Sequence, residues 1–158
     1  MKKEERRYRF VQKMLETVTG ASILSMEQTN GFRRDWRKAF IPNDVRSKDI
    51  PLHGCSNCVG RRNSFDWHYY SFNHFPAEKD PVGRIRDSAH PQERVVVWIE
   101  LCKMPAIELR AGELANFLQS NQPPTEELYI ANRKLSWTAV FTHEDDFGPY
   151  FVVKATKK

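Results

Sequence analysis

The sequence predicts a single α+β domain over residues 1–158, built on a mostly antiparallel sheet with an N-terminal helix and one or two further short helices. Three observations carry that expectation. The run "RVVVWIELC", residues 94 to 102, is continuously apolar and β-branched, as a central strand should be. "SWTAVFTH" and "YFVVKA" near the C-terminus read as two strands joined by the turn "EDDFGP". Helical spacing gathers at the N-terminus and in one insert, so helices and strands are segregated rather than alternating. A length of 158 residues suits one domain, since two would each be undersized.

Taken in order, residues 3 to 18 predict a helix. Tyr8, Val11, Leu15 and Val18 form its buried stripe, with Phe10 and Met14 beside it and Gly20 as the C-terminal cap. "ASILSME" is a short strand. "NGFRRDWRKAFI" is a second helix that turns Phe32, Trp36 and Ala39 or Phe40 inward, and Pro42 ends it. Residues 42–64 are rich in Pro, Asn, Asp, Ser, Gly and Arg and predict one long loop. The aromatic stretch from Phe65 to Phe75 predicts a strand, and residues 76–93, with three prolines and one glycine, a loop or short turn. After the central strand, Pro105 breaks the chain and "AIELR" returns as a hairpin partner. "GELANFLQSN" is a short helix with Leu114, Phe117 and Leu118 facing in, and "ELYIAN" another strand. In the last hairpin Trp137, Ala139, Phe141 and His143 alternate against Ser136, Thr138, Val140 and Thr142.

Cysteine and histidine concentrate in "HGCSNC", residues 53 to 58. Cys55 and Cys58 have the spacing of half a zinc knuckle, and His53 is a candidate third ligand. A closed site needs a fourth ligand, and His68, His74, His90, His143 and Cys102 all lack a diagnostic spacing. His68 and His74 would lie ~20 Å apart along one strand, too far to share an ion. The alternatives are loop cysteines without a function, which is the leading reading, and a redox pair beside Arg61 and Arg62. Zinc is the one cofactor this pattern admits.

The chain has 25 Lys and Arg against 20 Asp and Glu, a formal charge of +5. Arg33, Arg34 and Arg37 on the second helix are candidate binding residues for an acidic protein or a nucleic acid, with the protein favoured. The charged start "MKKEERRYRF" leaves no room for an export signal, and no stretch reaches the ~20 apolar residues of a membrane span. A cytoplasmic protein with no membrane partner is expected, and the odd count of three cysteines fits free thiols.

In the last hairpin, His143 and Glu144 are weak catalytic candidates, joined by His68. Adjacent strand residues diverge, which weakens the His143–Glu144 pair. Thr142, His143 and Glu144 are also candidate binding residues at a strand end. The segment from Trp137 to Glu144, closed by Gly148-Pro149-Tyr150-Phe151, resembles the C-terminal signature W-T-x-V-x-T-H-E and G-P-Y-F of small uncharacterised bacterial proteins of the domain-of-unknown-function class. Trp67-His68-Tyr69-Tyr70-Ser71-Phe72 is similar to their earlier W-H-x-F-S segment. The resemblance spans about the second half of the chain, omits the cysteine loop, and implies an architecture without an activity. No phosphate loop, dinucleotide fingerprint, H-E-x-x-H or G-x-S-x-G is present. The expectation is a non-enzymatic, macromolecule-binding module, immunity-like in its simplest version. Zinc binding and nucleic-acid binding are the alternatives.

Overall fold

In the computed structural model of the chain, which describes residues 3–41, 70, 73, 75–99, 104–123, 127–142 and 148–154, six strands form one antiparallel sheet. They are β1 (Ser22–Ile23), β2 (Arg94–Ile99), β3 (Ile107–Arg110), β4 (Leu128–Asn132), β5 (Trp137–Phe141) and β6 (Tyr150–Val153), in the spatial order β1-β3-β2-β4-β5-β6. Four helices accompany them among the described residues: α1 (Lys3–Thr17), α2 (Met26–Phe40), α3 (Pro81–Ser88) and α4 (Ala111–Ser120). The α+β class with an N-terminal helix is therefore correct. No helix among the described residues is long and apolar enough to cross a membrane.

The sheet is covered on both faces. One face presents Val95, Val97, Ile107, Leu109, Leu128, Ile130, Trp137 and Ala139 to α1, α3 and α4. The other presents Val96, Trp98, Tyr129, Ala131 and Val140 to α2, which packs Phe32, Trp36 and Phe40 against it, with Tyr70 in the same layer. Burial on both sides explains the unbroken apolar run of β2: Val95 to Ile99 are all buried, so no position has a solvent face to fill with a polar residue. Trp36 anchors the second layer. Its ring meets Trp98 at 5.7 Å and Tyr129 at 5.1 Å, both edge-on, while Trp98 and Tyr129 stack on each other. Its indole N–H donates to Thr138 Oγ1 at 2.9 Å, and that hydroxyl donates onward to the Ile130 carbonyl.

Several expectations need correction. Along α1 Phe10 and Met14 are buried, as is Val18 just past its end, with Val11 and Leu15 packed beside them, and Tyr8 is exposed. The stripe is rotated by about one position, because either phase satisfied the i, i+3, i+4 pattern. Gly20 follows the helix in a turn with negative φ; what it supplies is space, since a Cβ there would lie 2.9 Å from Glu113 Oε2. Helix α2 begins four residues before Asn30. Ser25 caps it, its hydroxyl accepting from Gln28 N while the Gln28 side chain accepts from Ser25 N. That S-x-x-Q capping box is legible in "SMEQ", where the strand expected over "ASILSME" gives way to the helix. Residues 76–93 are not all loop. Asp80 caps α3 by accepting from Gly83 N, and Pro81 occupies the first helical position, where a missing N–H costs nothing.

The strand expected over Phe65 to Phe75 fails at its described end. Tyr70 has helical backbone, and its carbonyl accepts from Phe75 N at 2.9 Å, a closure that an extended chain cannot make. Tyr70 is fully buried against Tyr150 and donates its hydroxyl to the Phe40 carbonyl, which ties the segment to the end of α2. The long loop at 42–64 and most of this aromatic stretch lie outside the described residues.

The β4–β5 connection closes on Asn132, which is 1 % exposed. Its Oδ1 accepts from Ser136 N and Trp137 N, and its Nδ2 donates to Ser136 Oγ and Glu93 Oε1. Leu135, at φ 55, completes the turn in the left-handed region, its N–H bonded to the Asn132 carbonyl.

Candidate functional site

Helix α2 is divided lengthwise. Thr29, Phe32, Trp36 and Phe40 recur at helical spacing on the buried side. Glu27, Asn30, Arg34 and Arg37 recur at the same spacing on the other side, and Arg33 sits beside them. These five residues line one open groove of about 630 Å³. Arg33 and Arg37 are half-buried and Arg34 is exposed. The three arginines singled out in the sequence are thus brought together, and the aromatic packing beneath holds their helix in place. Part of this charge has a purely helical use, because Arg37 and Lys38 fall in the last turn and Glu27 in the first, complementing the macrodipole. Arg33 and Arg34, further from either end, have no such use.

A second basic cluster stands on the same side of the sheet. Glu108, on β3, receives the Arg94 Nε at 3.1 Å and the Arg133 guanidinium in a close ion pair. Arg133 also lies over the Phe32 ring, 5.7 Å from its centroid. Glu108 is only 14 % exposed while both arginines keep more than 40 % of their side-chain surface, so the acid lies beneath and the two cations face outward. The sequence showed no sign of this cluster: its members are 14 and 25 residues apart and meet only through strand register.

The other candidate residues are not gathered here. Thr142, half-buried just past β5, lies against Gly148 and takes no part in the groove. Gly148 has φ +88, and a Cβ there would meet Thr142 Cγ2 at 3.1 Å and the Tyr150 ring at 3.2 Å, so only glycine fits. His143 and Glu144 lie outside the described residues, as do His53, Cys55, Cys58 and His68. His90, weighed as a distal zinc ligand, serves a turn: its Nδ1 accepts from Gln92 N and its carbonyl from Glu93 N. Among the described residues no group of three or more His, Cys, Asp or Glu side chains is placed to hold a metal ion.

No family model matches the chain, and no curated protein or solved structure matches it either.

Proposed function

We propose that this chain is a non-enzymatic, cytoplasmic binding module whose α2 groove engages an acidic segment of a partner protein. The observation that carries the reading is the convergence of Arg33, Arg34 and Arg37, with Asn30 and Glu27, in one groove on a helix whose opposite face is anchored by Trp36. Guanidinium groups offer planar, paired donors that match carboxylates, and a rigid helix presents them with little further ordering. Glu27 within the groove and Asp35 beside it favour a protein over a nucleic acid. A polyphosphate backbone would be repelled by both, whereas a protein segment of mixed charge can place a donor against each. An immunity-like protein that occludes its partner is one concrete form.

The test is titration of a twelve-residue Glu/Asp-rich peptide and, separately, a DNA duplex of equal charge, at two salt concentrations. The peptide is expected to bind saturably, and Arg33→Glu with Arg34→Glu to weaken it roughly tenfold or more while leaving the melting temperature nearly unchanged. Duplex binding with a steep salt slope and no peptide binding would replace this reading by the nucleic-acid one. Binding of neither probe removes it.

Zinc at His53, Cys55 and Cys58 is the second reading, resting on the Cys-x-x-Cys spacing alone. It predicts stoichiometric zinc in protein purified without chelator and a large fall in melting temperature in EDTA. A metal-free protein with an unchanged melt discards it.

A further inference from the structure

We infer that the cleft between the end of α1 and helix α4 is a binding site for an alkylammonium group. The cleft is open, about 370 Å³, and lies on the sheet face opposite the arginine groove. Its walls include Thr17, Val18, Glu113, Asn116, Phe117 and Asn121; among the described residues no lysine or arginine lines it, although Arg86 donates to the Asn116 Oδ1.

Three features of the cleft call for a cation. Helix α1 ends here with no basic residue in its last turn, so the negative end of its dipole is uncompensated by its own side chains. Glu113 adds a carboxylate. It occupies the third position of α4, where a glutamate ordinarily reaches back to the cap. In this chain α4 has no side-chain cap hydrogen bond, and its first amides bond to backbone, Ala111 N donating to the Glu93 carbonyl and Gly112 N to the Pro91 carbonyl. Glu113 is released from capping and lies over Gly20, where its Oε2 is shielded from water without a hydrogen-bond partner. Oε1 is the oxygen left for the cleft. The positive end of α4, in whose first turn Glu113 lies, compensates part of this burial, and a cation at the free oxygen supplies the rest.

The chemistry favours an amine over a metal ion. Calcium and magnesium take six or more oxygen ligands, with several carboxylates in a tight protein site, and among the described residues this cleft offers one carboxylate in a volume far larger than an ion. Val18 and Phe117 supply an apolar wall against which a methylene stem can lie; the Asn116 Oδ1 accepts from Arg86 and the Asn121 Nδ2 donates to the Phe117 carbonyl, so the charge is met by Glu113. A carboxylate beside an apolar wall matches the head and stem of a primary alkylamine, whether a free diamine or a lysine side chain of another protein.

The experiment titrates the full chain with 1,5-diaminopentane, with Nα-acetyl-lysine amide, and with Nα-acetyl-norleucine amide as the uncharged control, following binding by calorimetry and by thermal shift. At least one amine is expected to bind saturably, at least tenfold better than the norleucine compound. Glu113→Gln is expected to weaken it at least tenfold, and Arg34→Glu to leave it unchanged. Binding of the diamine alone identifies a small-molecule site, and binding of the lysine amide a site for a partner's side chain. Without ligand, Glu113→Gln is expected to raise the melting temperature, because it removes a half-buried charge. A fall would mark Glu113 as a structural partner of the α4 N-terminus and overturn the proposal. So would the absence of amine binding, or binding that Glu113→Gln does not change.

Discussion

Trp36→Ala is expected to lower folding stability by about 3–5 kcal/mol, the range for deleting a buried indole. On a chain of this size that corresponds to a fall of roughly 6–20 °C in melting temperature. The size follows from position: Trp36 is 1 % exposed and touches Phe40, Trp98 and Tyr129 at once, so its removal leaves a void with three aromatic walls. Two milder variants separate packing from polarity. Trp36→Phe keeps most of the volume but loses the N–H and about three ring atoms, and Thr138 Oγ1 can still donate to Ile130, so a cost of about 1–3 kcal/mol is expected. Thr138→Val keeps the volume and strands the indole N–H in a dry layer, for about 1–3 kcal/mol. The double variant should cost little more than Trp36→Phe alone, since neither partner then wants the other. Additive losses in a urea titration would show that the Trp36–Thr138 bond carries no weight.

Asn132→Ala carries the second largest expected loss, about 2–4 kcal/mol. One side chain makes four hydrogen bonds, three across the β4–β5 turn and one to Glu93, and two of them satisfy the backbone amides of Ser136 and Trp137. Alanine leaves the Trp137 amide buried and unpaired, while Ser136→Ala removes one acceptor from a donor that keeps Glu93, for about 1 kcal/mol. A melt series that placed the two alanine variants together would refute the turn-closing role of Asn132.

How much was legible follows from which signals are local. The β2–β3 hairpin, α4, β4 and the β5–β6 pair were readable because burial or alternation within each segment sufficed. Registers such as Val97 opposite Ile107 and Ala139 opposite Phe151 then follow from pairing like faces. Helix α3 was missed because Pro81 and Gly83 outweighed the Asp-Pro start they belong to, which is cap chemistry rather than loop chemistry. The aromatic density around Tyr70 suggested a strand by composition, yet Tyr70 fills a hole beside α2 from a helical backbone. For the groove, Arg33, Arg34 and Arg37 were visible in "RRDWRK". Glu27 is not, because a helix read from Asn30 onward leaves it outside, although Asn30 itself falls on the same stripe. Glu113 and its cleft had no signal at all, since Gly20 and Glu113 meet only in the folded chain.

The wide separation of Trp36 from Thr138, 102 residues, has a bearing on how the protein is made. During synthesis α2 emerges well before any strand of the surface it covers, for β2, β4 and β5 all lie C-terminal to residue 93. At ribosomal rates of about 5–20 residues per second, Phe32, Trp36 and Phe40 wait several seconds without their partners. The nascent chain therefore carries a helix with one aromatic and one basic side, and its sticky side is retired only when the last third of the protein has appeared. Truncations ending before β5 should expose that side permanently, and aggregation or chaperone capture is the fate expected of them.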